Sequence, residues 1–166
     1  MIARALLMIG FLLIGVPASL AAPSDSEEHL LARLQKETDP IKKSKDTTRL
    51  ARLKLEQVIQ AYEHGSIEQG AQLIPVYLGR IMDSWHILKG CGRNAAHDPK
   101  GFKELDIELR EDVRLLEDLK RRVSYDDRAP LEQTGKEVEG VRAEVLHALF
   151  PITRVSEAPK PASKPE

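Results

Sequence analysis

Seven residues of this chain, Ile67, Ala71, Ile74, Leu78, Ile81, Trp85 and Leu88, recur at alternating steps of four and three. That spacing puts side chains on one stripe of an α-helix; a strand would repeat every two residues. Ser66, Ile67, Glu68 and Gln69 form a capping-box pattern ahead of the stripe. Gly90, Cys91 and Gly92 close it. The sequence therefore predicts a long helix with one buried seam between these marks. Pro75 lies inside it, flanked by Gly70 and Gly79, so a kink near 71–75 is expected.

The rest of the chain reads the same way. Aromatic residues make up 4% of it, and no alternating apolar pattern sits between hairpin turns, which leaves little to build a sheet from. Ser24 to Glu27 resembles a capping box, and Leu30, Leu31 and Leu34 supply a short stripe, so a first helix is expected near 26–37. Asp39-Pro40 is a strong start signal, with Asp as N-cap and Pro in the first turn. A helix over 40–64 follows, with Ala51, Leu55, Val58, Ile59 and Tyr62 inward and Gly65 as its stop. Asp98-Pro99 repeats the start signal, ahead of a stripe of Phe102, Leu105, Leu109, Leu116, Leu119 and Val123. A last helix over 129–150 carries Leu131, Val138, Val141, Val145 and Leu149, weakened by Gly135 and Gly140 and closed by Pro151.

Four helices of about 20 residues with short connectors predict an all-α, up-down-up-down four-helix bundle. The short extra N-terminal helix would lie across one end or extend the first long helix. Residues 22–151 form the bundle domain in this reading. Residues 152–166 hold three prolines and almost no apolar side chain after Val155, which predicts a disordered Pro/Lys-rich tail suited to a tether.

The first 21 residues bear on location. Arg4 gives a basic start, Ala5 to Val16 is an apolar run, Pro17 breaks it, and Ser19 and Ala21 are small residues at the −3 and −1 positions of a cleavage site. This is the layout of a secretory signal peptide, with cleavage expected after Ala21. The run is well short of the roughly 20 residues that span a bilayer, so no transmembrane helix is expected in the mature chain. The expected location is outside the cytoplasm, in a periplasm or beyond the cell.

Removing Arg4 with the leader takes the net charge from −1 to −2. A near-neutral chain supplies no global field for nucleic acid, and none is expected as a partner. The single cysteine, Cys91, excludes an internal disulfide. It is left as a buried small residue, a free thiol or half of a bridge between chains. Stability must then come from packing.

Chemistry-bearing patterns are few. Asp83 and His86 on one helix, and Glu144 and His147 on another, resemble the ligand spacing of di-iron bundles, with Asp46 and Glu104 at a similar level. At about 100° per residue, His147 points roughly 160° away from the Val145 stripe and Glu144 about 100° away. Asp83 points almost opposite Ile81 and Trp85, so a bundle metal site is not expected. His86, Cys91, His97 and Asp98 form a second cluster near the central loop, with thiolate and imidazole ligands that suit zinc or copper. Their spacing matches no recognised ligand pattern. No nucleophile elbow, phosphate-binding loop or zinc-protease motif is present in the sequence.

Charge is more distinctive. Lys42, Lys43, Lys45, Arg49, Arg52 and Lys54 face a single acid, Asp46, within thirteen residues. A solvated helix face explains the run, and so does a basic surface that meets an anionic partner. Residues 104–118 are correspondingly acidic. Trp85, Tyr77, Tyr62 and Phe102 lie on or beside apolar stripes and are expected in the core.

These observations favour a non-catalytic interaction or structural module of the cell envelope, with no cofactor. Its expected partner is an envelope protein or an anionic surface, and homo-oligomerisation is compatible with the pattern. The competing reading is a metal- or small-ligand-binding bundle that uses the His86, Cys91 and His97 loop region.

Overall fold

A computed structural model describes residues 26–151. The expected signal peptide, 1–21, the first residues of the expected bundle domain, 22–25, and the expected disordered tail, 152–166, lie outside the described residues. Five helices follow in order: α1 (Glu27–Lys36), α2 (Pro40–Glu63), α3 (Ile67–Gly90), α4 (Phe102–Arg122) and α5 (Arg128–Leu149). The expected all-α bundle with a short extra N-terminal helix is what the chain forms.

Local chemistry explains most boundaries. The Ser26 Oγ accepts from the His29 N–H at 3.3 Å and opens α1. The Asp39 carboxylate accepts from the Ile41 N–H at 2.8 Å, and Pro40 occupies the first turn of α2. Gly65, at φ +75°, ends that helix in the left-handed region that glycine tolerates. Three start signals act differently from expectation: α1 is capped by Ser26 rather than by Ser24 of the expected capping box. Ser66 precedes α3 without a side-chain capping bond. Asp98-Pro99 does not open α4; the Asp98 carboxylate pairs instead with Arg93 at 2.7 Å. The helix starts three residues later, behind Gly101 at φ +83°. A Cβ at Gly101 would come within 2.9 Å of the Ile41 Cδ1 and 3.1 Å of the Leu88 Cδ2, so bare backbone is packed against the core there. Pro75 does not break α3, which stays helical through it, and the ring is exposed.

The packing surfaces run in heptad-like steps. On α2 the buried line is Ile41, Ser44, Thr48, Ala51, Leu55, Val58 and Tyr62. On α3 it is Gly70, Ile74, Tyr77, Ile81, Ser84 and Leu88, with Trp85 beside it. The expected α3 seam is thus rotated. Ile67, Ala71 and Leu78 are only half-buried, while Gly70, Tyr77 and Ser84 face inward. The reason is close packing of α2 on α3. A Cβ at Gly70 would lie 2.4 Å from the Tyr62 ring, and Ser84 meets the hydroxyls of α2.

α2 packs most extensively on α3, and α4 on α5, as antiparallel pairs. The two pairs then stand side by side, α2 next to α4 and α3 next to α5. Cross-links fix the direction: Lys45 to Glu104, Arg52 to Asp112 and Glu63 to Arg122 advance together along both helices. So α2 and α4 run parallel, and residues 91–101 carry the chain across the diagonal of the bundle. α1 lies antiparallel on the back of α2. Its Glu27 meets Lys54 and its Arg33 meets Asp46, a register that sets Leu30 opposite Leu50. Both leucines are fully covered, yet neither belongs to the main core.

Candidate functional site

Three of the four long helices bring polar groups to the bundle centre. Tyr77 of α3 donates its hydroxyl to the Asp112 Oδ2 at 2.9 Å. The Arg52 guanidinium of α2 stands 3.0 Å from the Asp112 Oδ1 and donates to the Glu108 Oε2 at 3.0 Å. Asp112 is 1% exposed. Its Oδ1 is close to Arg52 but lacks hydrogen-bond geometry. Burial outweighs that cation and the tyrosine bond, and pushes the Asp112 carboxyl up from the usual 3.8 to about 6. Burial and the facing carboxylate together hold the Tyr77 phenol well above its ordinary range.

Nearer the α2 N-terminus the core turns hydroxylic. The Ser84 Oγ lies 2.8 Å from the Ser44 Oγ and 2.7 Å from the Thr48 Oγ1, and all three residues are buried. Thr48 also donates to the Ser44 carbonyl at 3.0 Å. Between α2 and α4, beside this hydroxyl layer, an open groove of about 350 Å³ is lined by Ile41, Leu105 and Ile107, with Lys45 and Arg49 on one wall and Glu104 and Glu108 on the other.

The basic stretch singled out by sequence divides in two. Arg52 and Lys54 are drawn into internal pairs, Arg52 as above and Lys54 with Glu27 at 2.7 Å. Lys42, Lys45 and Arg49 share an exposed stripe of α2. Lys45 approaches Glu104 at 3.5 Å and Arg49 approaches Asp46 at 3.7 Å. Lys42 and Lys43 make no ion pair among the described residues. Asp46, the lone acid of the stretch, is buried, with one oxygen on Arg33 and the other, Oδ2, unpartnered.

The candidate metal-type residues are not gathered into a site. His86, His97 and Asp98 are exposed, while Cys91 is half-buried against the core. Asp83, His147 and Glu144 are exposed as well. Among the described residues, no group of three or more His, Cys, Asp or Glu is placed to hold a metal ion. Glu144 nonetheless has a structural role, accepting from the Trp85 Nε1–H at 2.8 Å. That bond, helped by nearby Lys89, lowers its carboxyl below the usual value. Trp85 meets Phe102 edge-on at 6.2 Å and carries the Lys89 ammonium over its face at 5.4 Å.

Sequence reasoning did not single out Ser44, Thr48, Ser84 or Asp112. A signal was present for the last: the α4 stripe jumps from Leu109 to Leu116, and the vacant heptad position is 112.

The architecture is that of a four-helix bundle made of two antiparallel helix pairs, with an N-terminal arm and a charge-walled groove. Compared with known protein families, curated proteins and solved structures, the chain has no match in any of the three. Its functional reading therefore rests on its own residues.

Proposed function

We propose that this chain is an exported, non-catalytic interaction module of the cell envelope, and that α2 meets an anionic partner surface. The observation that carries the reading is the stripe of Lys42, Lys45 and Arg49, exposed along one face of α2, with Lys45 and Arg49 lining an open groove. Cations at a rim steer and orient an anionic partner more than they tighten it. Tyr77 and Arg52 are committed to Asp112, and the hydroxyls of Ser44, Thr48 and Ser84 to one another, which is a framework role.

Crosslinking of the mature protein in its native envelope, followed by pull-down, tests this. Lys42→Glu with Lys45→Glu should lose the crosslinked partner while helical content is kept. Retention of the same partner by that variant would remove α2 from the interface. Export is read in the same sample: N-terminal sequencing should begin at Ala22-Pro23, and an intact Met1 in the mature pool would refute it.

A further inference from the structure

We infer that α1 is an exchangeable arm, and that the back of α2 is a docking site for the α1 of a second copy of this chain. The inference stands apart from the anionic-partner reading. It starts from how α1 is held. Its one extended contact is with α2. Its single fully buried residue, Leu30, sits opposite Leu50, on the side of α2 away from the main core. An ion pair flanks that contact at each end, Glu27 with Lys54 and Arg33 with Asp46. Leaving therefore uncovers one small apolar patch and the buried Asp46 carboxylate, and opens no part of the four-helix core.

The joint favours exchange. Only Glu37, Thr38 and Asp39 separate the two helices. Glu37 (φ −77°, ψ 124°) and Asp39 (φ −73°, ψ 117°) are already extended. Pro40 disfavours helical backbone at Asp39, which keeps α1 and α2 as separate helices. Within the joint the only side-chain bonds among the described residues are local, the Glu37 Oε1 accepting from the Asp39 N–H at 2.9 Å and the Asp39 carboxylate capping α2, so none ties the joint to the bundle. The α2 surface is complementary to the α1 sequence, and every copy of the chain carries that sequence. A reciprocal exchange thus reproduces both ion pairs and the Leu30–Leu50 contact in two copies at once, and the symmetric dimer closes on itself.

Charge exchange between two variants tests this directly. Glu27→Lys and Lys54→Glu are prepared separately in the chain from Ala22 onward. Each alone sets like charges together at the arm. Mixed, the two variants restore an opposite pair at both arms only in a swapped heterodimer. Native mass spectrometry of an equimolar mixture, one partner isotope-labelled, should show heterodimers in excess over the homodimers of either variant by about tenfold, the scale of two restored pairs. Adding Leu30→Glu to both should abolish the heterodimer while circular dichroism remains helical. A mixture that stays monomeric, or heterodimers in merely statistical proportion, would overturn the proposal. So would heterodimers that survive Leu30→Glu, since contact would then lie elsewhere.

Discussion

Asp112 occupies a position on α4 that Leu105, Leu109, Leu116 and Leu119 would lead one to expect filled by leucine. Burial raises its carboxyl to about 6, above the value of an unfolded chain. Between pH 4 and 6 the folded protein therefore binds more protons than the unfolded one, and this group lowers stability as pH rises through that window. The lost stability is on the order of 3 kcal/mol for a shift of two units. Asp112→Asn removes the titration. Denaturant melts at pH 4 and pH 7 should show the variant gaining on the wild type as pH rises; a difference constant with pH would contradict the burial argument. Trp85 gives a second residue-level expectation. It fills the core and anchors Glu144, so Trp85→Ala should cost about 3–5 kcal/mol in the same assay. Leu78→Ala should cost clearly less, because Leu78 is half-buried. The sequence pattern made these two positions equivalent. It could not see that Tyr77, one residue earlier, reaches Asp112 across the bundle and takes the inward direction.

At the level of elements, helix existence and extent were legible, and helix rotation was not. Periodicity and the Asp39-Pro40 and Gly65 signals mark α2 almost to the residue. A hydropathy stripe weights large apolar side chains, whereas close approach of two helices needs small ones. Gly70 and Ser84 were invisible for that reason, though they set how α3 faces α2. Glycines separate the two cases experimentally. Nothing lies within 4 Å of a Cβ built at Gly135 or Gly140, both inside α5. Gly135→Ala with Gly140→Ala should stabilise by about 1–2 kcal/mol through helix propensity alone. Gly70→Ala should instead destabilise by about 1–3 kcal/mol, since the new methyl meets the Tyr62 ring. Thermal melts of the two variants should move in opposite directions.

For the whole molecule, the sequence conveyed class and helix direction but not neighbours. Connector length suggested that consecutive helices pack together. That holds for α2 with α3 and for α4 with α5, while residues 91–101 are long enough to cross the bundle and do so. The candidate site was legible only in part. The cationic run was visible, but its division into exposed Lys42, Lys45 and Arg49 and inward-tied Arg52 and Lys54 depends on where α4 and α1 come to rest. The side-by-side arrangement also dictates an order of assembly. Each hairpin is built from contacts near in sequence, so its loop closes at little entropic cost and early. Arg52, Tyr77 and Asp112 meet only when the hairpins dock, across as many as 60 positions. Their network should form after the barrier has been crossed. Stopped-flow kinetics of Tyr77→Phe should then show faster unfolding at an almost unchanged refolding rate, whereas Val58→Ala, inside the first hairpin, should slow refolding. The buried acid would thus act as a late clasp, governing how long the bundle stays shut rather than how quickly it closes.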